Sequence, residues 1–135
     1  MKTPTDIEIL NTIYNTYYST FKNFLDWEKK KTRATKVYVP IDCKKIGRKL
    51  GVDGDIIFGR LYYYLSEKYS YVQTDGTKVK LFTLKAGKDI NCVQFPLMAS
   101  VLAKLRDERK RYLTSTGIAF FSLLVSITAV LIAAL

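Results

Sequence analysis

The stretch from Leu113 to Leu135 constrains this chain more than any other feature, because it contains no charged residue, proline, asparagine or glutamine. As an α-helix it would be about 34 Å long, and the hydrocarbon core of a bilayer is about 30 Å thick. Its twelve Leu, Ile, Val and Phe residues favour insertion by about −4 to −7 kcal/mol. A buried core helix would need more covering protein than the rest of this 135-residue chain supplies. The stretch therefore predicts a single transmembrane span.

Basic residues directly before the span predict its orientation. Five cations, partly offset by two acids, are followed by an interfacial aromatic residue: Lys104, Arg106, Arg109, Lys110, Arg111 and then Tyr112. Positive flanks stay on the cytoplasmic side and attract the anionic headgroups of membrane lipid. Since no N-terminal signal peptide is recognisable, we expect a tail-anchored protein. Its N-terminal domain would be cytoplasmic, and its C-terminus would end at the far face of the membrane.

Small residues line one face of the span at alternating spacings of four and three. They are Ser115, Ala119, Ser122, Ser126, Ala129 and Ala133. Small residues let two helices approach closely in lipid, so this helix seam predicts a homo-oligomer or a partner helix. The same phase continues backwards through Tyr112, Glu108, Leu105, Val101 and Met98, within one helix from about Phe95. The alternative is that a span rich in small residues shows such a stripe by chance.

The residues before the span carry every charge of the chain and a formal net charge of +10, and they predict a small basic domain. Thr5 and Glu8 have the form of a capping box at the start of a helix. Apolar residues then recur at helical spacing, namely Ile7, Leu10, Tyr14, Tyr17, Phe21 and Leu25. We expect this helix to end near Lys29, before a basic connector at 28–33.

Two further helices are predicted after a short strand at 36–40. In the first, Asp42 is the N-cap, Gly51 ends the helix, and Cys43, Ile46 and Leu50 share the inner face. The other helix covers about residues 55–69 and should bury Ile57, Leu61, Leu65 and Tyr64. Gly47 and Gly59 would each allow a close helix crossing.

Asp75-Gly76 lies between two runs rich in strand-forming residues, 71–74 and 78–83. A two-residue Asp-Gly connection between such runs is a strong hairpin signal. The sequence therefore predicts a β-hairpin after the third helix.

This order of elements resembles the winged helix-turn-helix family over about residues 5–85. The resemblance is carried by the residues at 46–52, 57–61 and 65–68 and by the Asp75-Gly76 wing. It implies an α+β fold, a winged helix-turn-helix domain followed by a long C-terminal helix that becomes a single transmembrane span. We expect a winged-helix domain at 1–87, a linker and juxtamembrane helix at 88–112, and the transmembrane tail anchor at 113–135.

The resemblance implies duplex DNA as a partner, with the third helix in a major groove and the wing on the backbone. Arg60 and Tyr63 would then lie nearest the bases. Phosphates would be bound by cations of the second helix and the wing, because Lys and Arg supply most non-specific affinity. These are Lys44, Lys45, Arg48, Lys49, Lys78 and Lys80. The first hypothesis is thus a membrane-tethered DNA-binding or regulatory protein, dimeric through its C-terminal helix.

An alternative hypothesis is a tail-anchored adaptor subunit of a membrane protein complex. Asp53 and Asp55 at the start of the third helix would face the polyanion, although carboxylates there also cap a helix. Tyr62 and Tyr63 on the outward side suit a protein interface as well as DNA. The same surface would then hold a protein subunit.

Enzyme chemistry is not predicted. The chain has no histidine, no Gly-rich phosphate loop and no paired-carboxylate spacing. Its two cysteines, Cys43 and Cys92, are not in metal-ligand spacing, so we expect two reduced thiols and neither a metal nor a cofactor.

Overall fold

The computed structural model describes residues 3–24 and 33–135, and the chain divides into two compact units, Met1–Leu102 and Ala103–Leu135. The first unit is mixed helix and sheet, as expected, and the second is helical. In chain order the elements are α1 (Asp6–Lys22), β1 (Tyr38–Pro40), α2 (Cys43–Leu50), α3 (Gly54–Gly59), a π-helical segment (Arg60–Leu65), α4 (Ser66–Tyr69), β2 (Tyr71–Val72), β3 (Lys78–Val79), β4 (Phe82–Ala86), β5 (Asp89–Gln94) and α5 (Phe95–Ala134).

Helix α1 begins with the predicted capping box. The Thr5 hydroxyl accepts the Glu8 N–H at 3.1 Å, and the Glu8 carboxylate accepts the Thr5 N–H at 3.2 Å. The helix ends at Lys22, earlier than expected, and both Leu25 and the expected end near Lys29 lie outside the described residues.

The buried face of α1 is shifted from the predicted one. Its fully buried residues are Ile9, Leu10 and Ile13, so of the described part of the predicted stripe only Leu10 is fully buried. The aromatic members lie at the edge of the core, where Tyr14 and Phe21 stack on Phe95 with ring centroids 5.4 and 4.8 Å apart. Aromatic stacking and a half-exposed hydroxyl favour such an edge position over the centre of the core.

Helix α2 has the predicted caps. The Asp42 carboxylate accepts the N–H groups of Lys44 and Lys45, at 3.0 and 3.4 Å, and Gly51 ends the helix with φ of 74°. The predicted close crossing occurs at Gly47, where a Cβ would lie 2.6 Å from the Val52 carbonyl oxygen.

Gly59 was wrongly expected to be at a second crossing. A Cβ there would be 3.8 Å from its nearest neighbour, the Tyr63 ring. The other close approach is at Gly54, where a Cβ would lie 2.8 Å from the Lys44 Cα. The turn between α2 and α3 therefore brings Gly54, and not the later glycine, against α2.

The segment 54–69 is one continuous helical run, named here the third helix, and its middle is π-helical. Ile57, Leu61 and Leu65 are buried as predicted, but Tyr64 is 46% exposed and its predicted burial is wrong. The Ser66 N–H bonds to the Leu61 carbonyl, five residues back. This wider turn changes the helical phase, and sequence spacing alone cannot anticipate it.

The hairpin around Asp75-Gly76 is present, with Tyr71 paired to Val79 and Val72 to Lys78. Its loop is longer than two residues, because the Gln73 N–H bonds to the Thr77 carbonyl at 2.8 Å and Gly76 has φ of 90°. The second predicted strand, 78–83, is divided between β3 and β4.

A three-stranded antiparallel sheet of order β1-β5-β4 forms the other β-structure of this unit. Strand β5 and its turn at Gly87, where φ is 64°, were not predicted. Cys92, Val93, Phe95 and Met98 from β5 and the start of α5 are buried. The compact unit therefore continues to Leu102, beyond the expected domain boundary at residue 87.

Helix α5 is the one helix of the described residues that is long and apolar enough to cross a membrane, with a mean hydropathy of 2.4 over its most apolar window. Met98 and Val101 are buried within the first unit. The seam predicted to run back to Met98 is therefore not available along its whole length, because its first residues serve the chain's own core. From Ser115 to Ala133 the seam residues are exposed.

Candidate functional site

A cleft of about 370 Å³ lies between the third helix and strands β3 and β4. Tyr62 and Tyr63 line it from the helix, and Lys78 and Lys80 from β3 and the residues after it. These four residues were all predicted to contact DNA or a partner, and the structure brings them together. Lys85 of β4 also lines the cleft and was not predicted.

The two cleft tyrosines differ in how firmly they are held. The Tyr62 ring stacks on Phe58 at 5.5 Å and meets the Tyr63 ring edge-on at 4.9 Å. Tyr63 is 73% exposed, so most of its ring faces solvent. Together they offer aromatic surface that a partner can cover at small cost in side-chain entropy.

Two serines at the base of the cleft fix β4 and the residue before it to the third helix. The buried Ser66 hydroxyl donates to the Phe82 carbonyl at 3.0 Å and accepts the Phe82 N–H at 3.3 Å. The Ser70 hydroxyl accepts the Leu81 N–H at 3.1 Å and bonds to the Ser66 carbonyl. Neither serine was predicted from the sequence, because their partners are 11 to 16 residues away.

The charges that line the cleft are mainly positive. Lys78, Lys80 and Lys85 are opposed by one lining carboxylate, Glu67. Like charges grouped around a concave surface raise the local potential and attract a ligand of the opposite sign. The cleft therefore combines aromatic surface with a positive rim.

The Arg60 side chain, predicted to point outwards and to lie nearest the bases, is instead bound to other parts of the fold. Its guanidinium donates to the Pro4 carbonyl at 2.7 Å and to the Asp6 carboxylate at 2.5 Å. The side chains of Arg60 and Asp6 are 23% and 21% exposed. Arg60 therefore holds the third helix against the start of α1.

The remaining predicted cations form a basic face on α2, namely Lys44, Lys45, Arg48 and Lys49, all exposed. Lys49 donates to the Thr16 hydroxyl at 2.9 Å, and the Lys45 ammonium lies 5.9 Å from the centre of the Tyr17 ring. None of the four lines the cleft. The predicted binding residues thus fall into two groups, a cleft and a separate basic face.

Asp53 and Asp55 lie at the start of the third helix, as predicted. The Asp53 carboxylate caps it by accepting the Asp55 N–H at 2.8 Å, and the Asp55 side chain is exposed. With Ile56, which is also exposed, these residues give the first turn an acidic and apolar outer surface.

Both cysteines are free thiols. Burial raises the pKa of Cys43 to about 11, and the nearby carboxylates of Asp42 and Asp55 add to the effect. Burial, with Asp89, likewise raises the pKa of Cys92 to about 11. Both therefore remain protonated near neutral pH and lack the thiolate that nucleophilic chemistry requires. Within residues 3–24 and 33–135 no three His, Cys, Asp or Glu side chains are grouped to hold a metal ion.

The residues just before the apolar part of α5 form ion pairs along the helix. Lys104 lies 4.0 Å from Glu108, and Arg111 lies 3.1 Å from Asp107. Tyr112 beside them is exposed. In the seam, the Ser126 hydroxyl donates to the Ser122 carbonyl of its own helix at 3.0 Å, so it needs no partner helix to be satisfied.

No family model matches the sequence, and no curated protein or solved structure is significantly similar to it.

Proposed function

We propose that this protein is a membrane-anchored adaptor, with a winged-helix domain that binds a protein partner through the cleft beside its third helix. The observation that carries the proposal is the pair Tyr62 and Tyr63 at the cleft, while Arg60, the cation expected to read DNA, is engaged within the fold. Exposed aromatic residues are enriched in protein interfaces. A third helix that exposes tyrosines and acids suits such an interface better than a DNA groove.

The order of elements supports the winged-helix interpretation of the domain. Helix α2, a tight turn and the third helix follow one another, with Gly47 and Gly54 at their closest approach. Two hairpins come next. The first, β2–β3, contains Asp75-Gly76 and is the predicted wing, and the second, β4–β5, has longer strands.

The C-terminal helix is the proposed anchor. Its apolar part follows five cations and two carboxylates at 104–111, a net charge of 5 − 2 = +3. Positive flanks remain on the cytoplasmic side, so the domain would work at the cytoplasmic face of a membrane. The seam, from Ser115 to Ala133, would allow self-association or a partner helix. Changing Ser122 and Ser126 to Ile should then reduce oligomer formation in lipid nanodiscs, and an unchanged oligomer would remove the seam from the proposal.

Duplex DNA is a second candidate partner, and the basic face of α2 favours it. Four exposed cations on one short helix can neutralise phosphates without reading bases. Binding of this kind would be weakly sequence-dependent and would weaken steeply with salt.

Site-specific photocrosslinking in intact cells distinguishes the two candidates. The photoreactive residue p-benzoylphenylalanine replaces Tyr63 in the full-length protein, and Tyr18 on α1, which is also exposed and does not line the cleft, is the matched control. We expect a discrete protein adduct from position 63 and none of that size from position 18. Adducts to DNA from position 63 would favour the second candidate. The same adduct from both positions, or none from position 63, would contradict the proposal.

A further inference from the structure

The cleft beside the third helix has a chemistry that restricts what a protein partner can place in it. Its lining contains three lysines, Lys78, Lys80 and Lys85, and one carboxylate, Glu67. Lys78, Lys80 and Lys85 are all exposed. A partner that brought cations or only neutral groups would leave this excess positive charge uncompensated, and its burial would cost free energy.

Apolar surface lies between these charges. Tyr63 is mostly exposed, and Leu84, another lining residue, is 44% exposed. Phe82 behind them is buried, and Ser66 fixes its main chain, so the floor of the cleft is held in place. A preformed concave surface of this size can take an apolar side chain without reorganising.

We propose that the cleft binds an acidic segment of the partner protein, in which an aspartate- or glutamate-rich stretch flanks at least one large apolar side chain. The apolar side chain covers Tyr63 and Leu84, and the carboxylates pair with Lys78, Lys80 and Lys85. This inference rests on the proposed function, because it identifies the chemistry of the partner at the same site.

The arrangement favours an acidic protein segment over a nucleic acid. Glu67 lies on the helix side of the cleft, where a phosphate backbone would be repelled. The stronger cluster of cations lies on α2, outside the cleft. A peptide can place its carboxylates beside the lysines and a neutral residue beside Glu67, whereas a nucleic acid backbone carries a negative charge at every phosphate.

The test is a selection of random twelve-residue peptides displayed on phage against the full-length protein in phosphatidylcholine nanodiscs. The zwitterionic lipid removes competition from anionic headgroups. We expect the selected peptides to be rich in Asp and Glu and to contain an aromatic or large aliphatic residue. The Kd of the best peptide, measured by fluorescence anisotropy, should rise at least tenfold between 50 and 500 mM NaCl, because salt screens exposed charge pairs.

Matched charge reversals then assign the site. Lys80→Glu should weaken peptide binding at least tenfold, and Lys44→Glu on α2 should leave it within about twofold, although both remove one exposed cation from the domain. A peptide in which only the acid that pairs with Lys80 is replaced by lysine should regain affinity for the Lys80→Glu variant. Equal losses in the two variants would overturn the inference, because they would reflect net charge alone.

Other outcomes separate this inference from the proposed function. Neutral or basic peptides that bind and are lost with Tyr63→Ala would overturn the acidic segment and still support a protein-binding cleft. Displacement of the peptide by a 20-base-pair duplex at equimolar concentration would assign the cleft to nucleic acid. Failure to recover any peptide that depends on Tyr63 would overturn the inference, and the photocrosslinking experiment would decide the proposed function independently.

Discussion

Replacing Arg60 by methionine tests whether this residue serves the fold or a ligand. Methionine keeps an unbranched apolar stem and removes the donors to the Pro4 carbonyl and the Asp6 carboxylate. A hydrogen bond to a charged group contributes about 1.5–3 kcal/mol, and the partial exposure of both side chains places this pair near the lower end. We expect the domain to lose about 2 kcal/mol, which lowers the Tm of a domain of this size by about 8 °C.

Near-UV circular dichroism of the full-length protein in detergent reports this unfolding through the tyrosines. A double-mutant cycle with Asp6→Asn should show a coupling of about 1–2 kcal/mol, because each single change already removes most of the interaction. At a temperature where both proteins are folded, crosslinking from Tyr63 should be unchanged by Arg60→Met. A variant with an unchanged Tm that no longer binds its partner would refute the structural role of Arg60.

Three further predictions concern the packing of the domain and its thiols. Gly47→Ala should destabilise the domain by about 1–3 kcal/mol, because its Cβ would lie 2.6 Å from a carbonyl oxygen. Gly59→Ala should stabilise the domain by up to about 1 kcal/mol, because the residue lies within a helix and its Cβ would make an ordinary contact, 3.8 Å from the Tyr63 ring. Thermal unfolding of the two variants compares them directly. Ser66→Ala should lower the free energy of unfolding by about 1–3 kcal/mol and speed hydrogen exchange at the Phe82 amide, because that amide loses its hydroxyl partner. An unchanged exchange rate at Phe82 would contradict this role of Ser66. At pH 8 the Cys43 thiol, with its pKa raised to about 11, should react with iodoacetamide at about a hundredth of the rate of a free cysteine in the denatured chain; equal rates would show that the thiol is not shielded.

Features set by neighbouring residues could be predicted from the sequence. The two ends of α2 follow from Asp42 and Gly51, because a cap bonds to groups two or three residues away. The capping box of α1 has the same origin. The apolar C-terminal stretch depends only on composition and length, and the structure shows one long helix there.

Features that depend on distant partners were missed. Strand β5 has a weak alternating pattern, and its pairing with β1 joins residues more than 50 positions apart, such as Val39 and Val93. The π-helical segment changes the phase of the third helix and exposes Tyr64. Arg33, predicted within a polar connector, is buried and donates to the Thr20 carbonyl at 3.0 Å.

In the candidate site, too, the residues whose position depends on local sequence could be predicted, and the residue whose position depends on distant packing could not. Tyr62, Tyr63, Lys78 and Lys80 were predicted because an outward position on a helix or hairpin can be derived from local periodicity. The place of Lys85 in the cleft could not be predicted, since it follows from how β4 packs against the third helix.

Protease protection in sealed vesicles tests the anchored arrangement most directly. One portion of sealed vesicles that expose the cytoplasmic face is treated with protease, and a second portion is extracted with alkaline carbonate. The account predicts that the protein stays in the membrane pellet and that protease removes the domain, leaving a protected fragment that begins near Tyr112. In vesicles of the opposite orientation the domain should be protected. Release by carbonate, or a domain protected in the first vesicles and cleaved in the second, would contradict a membrane-anchored adaptor at the cytoplasmic face.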